Sequence, residues 1–459
     1  MSPLGTPENP LLVAVVGAGP SGFYAVDALL KTGLAVDINM FERLAAPYGL
    51  VRSGVAPDHP KLKQAIKVYA RLAETEQFNY IGNVTVGRDL SIDELRATHH
   101  ALILTCGAET DRRLGIPGEN LPGSYTATEF VGWYNGHPDY RDRQFDLSHE
   151  TAVIIGQGNV AADVSRILAK TVAELQHTDI AAHALEVLAA SNIKNIYVIG
   201  RRGPAQAKFS YKELKEFNDL AACDPVLDAE ELALSPASEI ELGDTGNKRV
   251  YDLFCGFAER QAAKKKRCIF TFLKSPRKII GEHRVQRLLI EKNTLSGAAF
   301  AQQARGSGET FTLDTGIVFR SIGYHGIPMS GVPFDEARGV FANDKGRIIS
   351  NGTAAAGLYT SGWIKRGPTG LIGTNKPDSV ETVSMLLEDL DKLDQGENKR
   401  GAAACYEILD ARKVRYLSFE DWKVIDAAEI ARGEPMDKPR EKYTSTGEML
   451  ALLDSVSPA

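Results

Sequence analysis

The chain has 459 residues, 43% of them hydrophobic, and a formal net charge of -6, which suffices for two or three domains with sizeable cores. The negative charge argues against nucleic-acid binding, and no apolar stretch reaches the roughly 18 residues of a membrane span. The cysteines lack the paired spacing of a redox disulfide, a zinc ribbon or an iron–sulfur cluster, so we expect no bound metal; they stand at Cys106, Cys223, Cys255, Cys268 and Cys405.

The first ten residues, MSPLGTPENP, have neither the basic nor the apolar region of a secretory signal, and we expect them to be a short disordered leader. An odd number of cysteines without paired spacing is typical of a reducing compartment. The sequence therefore predicts a cytoplasmic protein.

The first segment predicts a strand–helix–strand unit. Residues 11–17 (LLVAVVG) form a short apolar run, as in a buried parallel strand. Pro20 and Ser21 open a helical stretch, and residues 36–41 (VDINMF) predict a second strand that ends at Glu42. The predicted elements that follow are an amphipathic helix over 62–72 and strands over 80–86 and 101–105.

A glycine-rich sequence, GAGPSG, joins the first strand to its helix, as a dinucleotide-binding turn requires. Gly17 allows the tight turn, Gly19 lets a pyrophosphate approach the backbone, and Gly22 allows close contact between helix and sheet. The helix N-terminus offers N–H donors to the phosphates. Glu42 follows Gly22 by 20 residues and can accept hydrogen bonds from the hydroxyls of an adenosine ribose. We interpret this unit as a dinucleotide site.

The loop after this unit, residues 48–60 (YGLVRSGVAPDHP), is bounded by glycine and proline and can lie along a flavin ring. His59 titrates near neutrality and could act there. Taken by itself, however, His59 is more readily a turn histidine held by Asp58 and the neighbouring prolines.

The strand–helix–strand pattern then recurs, with strands predicted at 151–156 and 196–200. Its turn reads G-x-G-x-x-A, with Gly156 and Gly158 in the glycine positions. Arg201 and Arg202 end the second strand where an acid would select NAD(H), and guanidinium groups can fork onto a 2′-phosphate. This unit therefore predicts an NADP(H) site. The second strand of this unit follows its glycine turn after more residues than usual, and we attribute the additional residues to an inserted helical segment over 171–192.

The remaining sequence is less regular. Residues 362–373 (GWIKRGPTGLIG) form a glycine-rich loop that could meet a flavin edge or simply hold a buried Trp363. The basic run at 264–267 (KKKR) is either a solvated loop or a charge that steers an acidic partner. The other predicted elements are strands over 268–273, 284–291, 316–323 and 357–362, a helix over 374–393, and a charged helical segment after about 395.

Five segments together resemble the adrenodoxin-reductase type of ferredoxin–NADP⁺ reductase, in particular its bacterial members: VVGAGPSGFYA, YGLVRSGVAPDHPK, IIGQGNVAADVSRIL, VIGRRGP and GWIKRGPTGLIGTNK. The resemblance covers about residues 11 to 393. It implies a flavoprotein oxidoreductase that passes a hydride from NADPH to FAD and then single electrons to a separate ferredoxin-type iron–sulfur protein. It leaves the oligomeric state open, and a monomer is compatible with it.

The resemblance also implies a set of site residues. His59 and Glu216 match a histidine and a glutamate close to where the flavin and nicotinamide meet. The positions that match the FAD contacts of the family are Gly19, Ser21, Glu42, Leu50, Val86, Trp363, Gly370, Leu371 and Ile372. The positions that match its NADP(H) contacts are Gln157, Gly158, Asn159, Val160, Arg201, Arg202, Glu213 and Gly370.

The fold expected from these patterns is α/β, with two Rossmann-like three-layer dinucleotide-binding domains. The FAD-binding domain is expected to comprise residues 1–107 plus 325–459, and the NADP-binding domain residues 108–324, inserted within it. Two alternatives stay open. One is an NADPH-dependent flavoenzyme with another acceptor, although a disulfide reductase or an amidotransferase-linked subunit would bring cysteine motifs that are absent here. The other is a non-catalytic protein that senses FAD and NADP.

Overall fold

The structure, a computed structural model, describes residues 2–394, 396 and 399–456. Most of the strands in this part of the chain belong to two central sheets. In chain order the strands are β1 Leu11–Val16, β2 Val36–Phe41, β3 Phe78–Ile81, β4 Ala101–Leu104, β5 Thr110–Asp111, β6 Ser124–Thr126, β7 Thr151–Ile155, β8 Asn195–Ile199, β9 Cys223–Leu227, β10 Lys266–Thr271, β11 Lys274–Ile280, β12 Arg287–Ser296, β13 Gln303–Asp314, β14 Ile317–Arg320, β15 Tyr324–His325, β16 Phe334–Asp335, β17 Val340–Phe341, β18 Asn343–Asp344, β19 Arg347–Ser350 and β20 Thr353–Thr360.

Helices cover the faces of both sheets. In chain order they are α1 Pro20–Leu30, α2 Leu50–Ser53, α3 Ile66–Ala73, α4 Ile92–Thr98, α5 Ala127–Tyr134, α6 Asn159–Ala169, α7 Val172–Leu175, α8 Ala182–Ala189, α9 Tyr211–Lys215, α10 Pro236–Glu241, α11 Thr245–Ala258, α12 Trp363–Arg366, α13 Asn375–Glu388, α14 Ala402–Ala411, α15 Phe419–Gly433 and α16 Thr446–Val456. Short 3-10 helices lie at Leu62–Ala65, Pro138–Tyr140, Pro204–Gln206, Glu216–Asp219, Ala229–Leu232, Ile372–Thr374, Leu390–Lys392 and Glu434–Met436.

The first sheet has seven strands in the order β18-β19-β20-β4-β1-β2-β3. The five strands from β20 to β3 run parallel, and β18 and β19 form an antiparallel edge. All six residues of β1 are buried, as expected for a parallel strand covered on both faces. Helices α1 and α13 pack against one another over this sheet. The sheet is therefore built from both ends of the chain.

The second sheet has six strands in the order β6-β14-β7-β8-β10-β9, all of them parallel. Its strands lie between residues 124 and 320, inside the stretch that separates β4 from β18 in the first sheet. A separate three-stranded antiparallel sheet, β11-β12-β13, packs against it. The expectation of two parallel-sheet nucleotide-binding units, one inserted in the other, is confirmed.

The C-terminal helices contact both units. Residues 434–444, which we call the strap, cross from α15 to the loop before α8. Within the strap, Nζ of Lys438 donates to the Ile180 carbonyl at 2.6 Å, and Nζ of Lys442 lies 2.9 Å from an Asp179 oxygen. Asp179 also binds Lys63 of the first unit at 2.6 Å. The buried Lys442 and the half-buried Lys63 therefore share one buried carboxylate between the units.

Two local expectations are wrong. Residues 2–10 form an ordered turn, because the Gly5 carbonyl accepts a hydrogen bond from the Ala35 N–H at 2.8 Å. The strand expected over 80–86 ends at Ile81, since Asn83 adopts a left-handed backbone with φ 59°. Among the described residues, no helix is both long enough and apolar enough to cross a bilayer.

Candidate functional site

The first glycine turn lies between β1 and α1. Gly17 has φ 110°, and a Cβ there would lie 2.7 Å from the Thr105 carbonyl oxygen. A Cβ on Gly22 would lie 2.2 Å from the Gly17 oxygen, so helix and turn approach too closely for any side chain. At Gly19, the N-cap of α1, an added Cβ would meet no atom within 4 Å. The helix N-terminus thus faces open space, as an incoming pyrophosphate requires.

The carboxylate of Glu42 lies beside this turn. One oxygen accepts from the Ala18 N–H at 2.9 Å, and the other accepts from the Leu44 N–H at 3.0 Å. Burial raises the pKa of Glu42, and these two hydrogen bonds oppose that increase. The side chain is therefore held by the backbone next to the phosphate cradle, and each oxygen keeps a lone pair for a ribose hydroxyl.

The second glycine turn repeats the geometry between β7 and α6. Gly156 has φ 140°, and a Cβ there would lie 2.0 Å from the Ser321 carbonyl oxygen. Gly158 is the N-cap of α6, and an added Cβ would again meet no atom within 4 Å. Asn159 accepts a hydrogen bond from the Ser210 N–H at 2.7 Å, which fixes the start of the helix. This turn also has the shape and the room for a diphosphate.

Arg201 and Arg202 follow β8 after one residue, Gly200, at the same sheet edge as the second turn. Arg201 is exposed and Arg202 half-buried, and neither guanidinium has an ion-pair partner among the described residues. Their backbone is firmly held: Nδ2 of Asn293 donates to the Arg201 carbonyl at 2.8 Å, and the Leu273 N–H donates to the Arg202 carbonyl at 3.0 Å. The two side chains are thus available to an anion.

One loop, residues 48–59, connects the two turns. A Cβ on Gly49 would lie 2.9 Å from the Gly19 Cα, so the loop begins against the first turn. It ends at Asp58, whose Oδ2 lies 2.7 Å from Nε of Arg166 on α6. The segment thus runs from the first turn to the region beside α6, the helix that begins at the second turn.

His59 lies in that region and contacts acids from α9 and the turn after it. Its Nε2 lies 2.8 Å from Oε2 of Glu216 and 3.4 Å from Oε2 of Glu213. His59 is about 10% exposed at its side chain, and Glu216 about 32%, so the pair can reach a bound ligand while being shielded from bulk solvent. The structure brings these three residues together, although His59 is more than 150 positions from the two glutamates in sequence.

The protonation of this cluster follows from burial and charge. Burial by itself would lower the pKa of His59, but the hydrogen bond with Glu216 and the charge of Glu213 raise it overall. For Glu216, the contacts with His59 and Arg166 outweigh burial and lower the pKa. Burial and the charge of Asp163 raise the pKa of Glu213. The arrangement therefore favours a proton on His59 and a charge on Glu216.

The glycine-rich loop after β20 lies at the end of the first sheet. Gly362 approaches α1 so closely that a Cβ would lie 2.7 Å from the Ser21 Cβ. Trp363 is half-buried: its indole packs on Tyr324 with ring centroids 5.1 Å apart, and its Nε1 donates to the Thr369 carbonyl at 3.2 Å. The tip of the loop is open, and Leu371 is 68% exposed. A ligand lying on this loop would cover that apolar surface.

The other residues of the expected set are dispersed along the same edge. Ser21 is buried and donates to the Ser361 hydroxyl at 2.9 Å. Leu50 begins α2 and is 36% exposed, whereas Val86 is buried in the core against the first sheet. Gln157 occupies the space over Gly200, donating from its Nε2 to the Thr271 carbonyl at 3.1 Å. The positions that complete the set are Val160, half-buried on α6, and Gly370 and Ile372, in the loop that carries Leu371.

Sequence reasoning missed the residue at the centre of the cluster. Arg166 is fully buried and contacts Asp58, Asp163, Glu213 and Glu216. One signal could have found it: Arg166 stands among apolar residues that predict a buried helix face. A buried guanidinium needs carboxylate partners, so acids were to be expected around it.

The basic run at 264–267 forms contacts within the fold. Nζ of Lys266 donates to the Leu168 carbonyl at 2.7 Å, and Nζ of Lys264 donates to the Leu220 carbonyl at 2.5 Å. Only Lys265 and Arg267 are exposed. Two of the four residues are therefore engaged within the fold, and the alternatives of a solvated loop and of a charge that steers an acidic partner apply only to Lys265 and Arg267.

Known proteins resemble the chain over nearly its whole length. It is 42% identical to the mitochondrial NADPH:adrenodoxin oxidoreductase of Arabidopsis thaliana, over 97% of this chain and 95% of that protein. It is 42% identical to NADPH-ferredoxin reductase FprA of Mycobacterium tuberculosis, over 97% and 99%. The structure of M. tuberculosis FprA in complex with NADPH superposes with a TM-score of 0.92, covering 97% of this chain and 100% of that one. No protein-family model matches the chain.

Proposed function

The chain belongs to the adrenodoxin-reductase type of ferredoxin–NADP⁺ reductases, and from that membership we propose how its residues perform the reaction. It is an NADPH- and FAD-dependent oxidoreductase that delivers electrons to a ferredoxin-type iron–sulfur protein. The bound FAD supplies the conversion of a two-electron donor into single-electron delivery. The protein supplies two nucleotide cradles, their relative placement and the partly shielded His59–Glu216 pair.

We assign FAD to the first turn. The N-terminus of α1 at Gly19 would receive the pyrophosphate, and Glu42 would accept from the adenosine ribose. Ser21, Leu50 and Val86 would line the same groove. The exposed loop of Trp363, Gly370, Leu371 and Ile372 would lie against the isoalloxazine and exclude water from it.

We assign NADP(H) to the second turn. The segment from Gln157 to Val160 would receive the pyrophosphate at the N-terminus of α6. Arg201 and Arg202 would hold the 2′-phosphate, because two guanidinium groups with no ion-pair partner among the described residues favour an anion, which an adjacent acid would repel. Glu213 would border the nicotinamide end of the site. This arrangement selects NADP(H) over NAD(H).

His59 and Glu216 would hold a proton where the two rings meet. His59 Nε2 and Glu216 lie within hydrogen-bond distance, and their surroundings favour a proton on His59 and a charge on Glu216. This ion pair would position the nicotinamide without a covalent step.

The observation that carries this assignment is the shared loop. Residues 48–59 touch Gly19 of the first turn at one end and Arg166 on the helix of the second turn at the other. Two nucleotides seated on these turns would therefore point their reactive rings at one region, as direct transfer between them demands.

Mixing the purified, FAD-loaded protein with NADPH under argon tests the assignment. We expect rapid loss of the visible flavin band, followed by reduction of an added ferredoxin, measured through cytochrome c. NADH should bleach the flavin much more slowly. A spectrum unchanged over minutes would instead support a nucleotide-sensing protein.

A flavin that bleaches without passing electrons to any ferredoxin would support a different acceptor. A screen of the reduced enzyme against the ferredoxins of the host, by stopped flow, separates these outcomes. The variant Arg400→Met serves as a control, since Arg400 is an exposed arginine that pairs with Glu407 and lies outside both turns and the basic run.

We also propose the domain limits and the location. The FAD-binding domain would comprise residues 1–107 plus 325–459, and the NADP-binding domain residues 108–324. Support comes from the two sheets, whose strands fall on either side of these limits.

The five cysteines are free, which suits the reducing cytoplasm. Cell fractionation with an antibody to the chain tests the location.

A further inference from the structure

Arg166 is the most enclosed cation of the described residues that lie near the cleft. Its side chain is 0% exposed. Nε lies 2.7 Å from Oδ2 of Asp58, and Nη2 lies 3.1 Å from Oδ1 of the same carboxylate. The pairing is therefore the forked, two-bond type that fixes orientation as well as distance.

The same guanidinium touches three more acids, all on the side of the second turn. Nη2 lies 2.8 Å from Asp163, Nη1 lies 3.4 Å from Glu213, and Nε lies 3.5 Å from Glu216. Lys170, one turn further along the chain, binds Asp58 at 2.8 Å. Four carboxylates thus surround two fixed cations and the imidazole of His59.

The location of Arg166 links this charge balance to the cleft. It lies on α6, which starts at the second glycine turn, and Asp58 immediately precedes His59 in the chain. A fork that holds Asp58 therefore holds the backbone from which His59 reaches Glu216. The partners come from the loop after the first unit and from the helix of the second.

We propose that Arg166 is a positioning residue that fastens the Asp58–His59 segment onto α6 and thereby sets both the geometry and the charge of the His59–Glu216 pair. The role of the His59–Glu216 pair in the reaction rests on the proposed function. The contacts of Arg166 are seen in the structure whether or not that function holds. Arg166 acts through its neighbours and not on either nucleotide.

The electrostatic consequence has a definite sign. The charges that face His59 are those of Asp58, Asp163, Glu213, Glu216, Lys170 and Arg166. Among them Arg166 lowers the pKa of His59, whereas Glu216, Glu213 and Asp58 raise it. Removing the guanidinium therefore leaves the imidazolium among carboxylates and shifts its titration to higher pH.

The direct measurement is the titration of His59 by NMR in FAD-loaded protein labelled at histidine. The spectrum of His59→Gln identifies the signal. In Arg166→Met we expect the His59 midpoint to rise by about one pH unit or more. An unchanged midpoint in folded Arg166→Met overturns the proposal, because a merely structural arginine would not move it.

Two further variants separate charge from geometry. Arg166→Lys keeps the charge but loses the fork, so we expect a midpoint near that of the wild type and flavin reduction by NADPH at least tenfold slower. Asp58→Asn removes a carboxylate instead, so the His59 midpoint should fall. This variant tests the cluster even if Arg166→Met does not fold. A lysine variant with the wild-type rate would overturn the role of the fork.

The exposed pair of Arg400 with Glu407 supplies the matched control, since Arg400→Met removes a paired arginine far from the cleft. It should leave both the midpoint and the rate unchanged. Failure of the proposed function would appear differently: wild-type flavin would resist NADPH, while the NMR titrations would still report on Arg166.

Discussion

Nε2 of His59 lies 2.8 Å from Oε2 of Glu216, and this contact joins the loop after the first unit to the end of α9 in the second. Because the folded state raises the pKa of His59, the ion pair stabilises the fold below the ordinary pKa of histidine. That stabilisation disappears as the pH rises through the raised pKa. The contact is thus both a part of the cleft and a pH-dependent bond between the units.

Substitution of Glu216 by Gln tests this pH dependence. We expect the melting temperature to fall by roughly 2–4 °C at about pH 6, and by less at a pH above the raised pKa of His59, where the imidazole is neutral in both proteins. Calorimetry at the two pH values measures the difference. Glu420→Gln, which removes an exposed carboxylate paired with Lys423, is the control. An equal decrease at both pH values would contradict the ion pair.

Replacement of both Arg201 and Arg202 by Ala should remove the preference of the protein for NADPH over NADH. Each charge-assisted hydrogen bond to a phosphate contributes about 1.5–3 kcal/mol, so NADPH should bind at least about 100-fold more weakly. NADH lacks the 2′-phosphate, so its binding affinity should decrease little. Titration of flavin reduction against each nucleotide gives both constants, with Arg267→Ala as the control. Equal losses for both nucleotides would count against the assignment.

The variant Glu42→Gln should weaken FAD binding. It removes the negative charge of the carboxylate, which accepts a hydrogen bond from the Ala18 N–H and would accept one from a ribose hydroxyl. We expect the dissociation constant to rise by about tenfold, equivalent to about 1.4 kcal/mol. Flavin fluorescence during titration of the FAD-free protein measures it. Asp27→Asn, an acid on α1 that pairs with the exposed Lys31, should bind FAD as the wild type does.

Asp179→Asn should destabilise the protein strongly. It leaves Lys63 and Lys442 buried without their shared counter-charge, and breaking a buried pair in this way costs about 3–5 kcal/mol. Burial already lowers the pKa of Lys442 to about 7, so the loss should grow as the pH falls and both lysines charge. Denaturant unfolding at two pH values measures it.

The matched control for Asp179 is Glu150→Gln. Glu150 pairs with Lys194, and both side chains are more than half exposed, so the change should cost less than about 1 kcal/mol. Comparable losses in the two variants would show that the buried cluster does not hold the units together.

The nucleotide-binding units were predictable because their signals are local. A buried strand, a glycine turn and a helix follow one another within about twenty residues, and the sterics that require Gly17 and Gly156 act on the backbone itself. The same applies to the arginines after β8, whose role depends only on where the strand ends. These elements appear in the structure at their expected places.

The contacts between the units were not predictable from local patterns. Arg166 meets Asp58 across 108 positions of the chain, and Lys442 meets Asp179 across an even longer separation. Nothing in their neighbouring residues signals such a partner. The strap looked like an ordinary charged helical segment for the same reason, and the N-terminal turn depends on a backbone contact with Ala35.

The buried charges limit how this protein can be divided. Expressing residues 108–324 alone would take Asp58 away from Arg166 and both lysines away from Asp179, and the rest of the chain would keep Asp58 and Lys63 without these partners. Neither fragment is an independent folding module in that sense. A chimaera that takes its nucleotide preference from a relative must therefore include both partners of each of these salt bridges. Exchanging only the glycine turn and the arginines that follow it would leave buried charges without their partners.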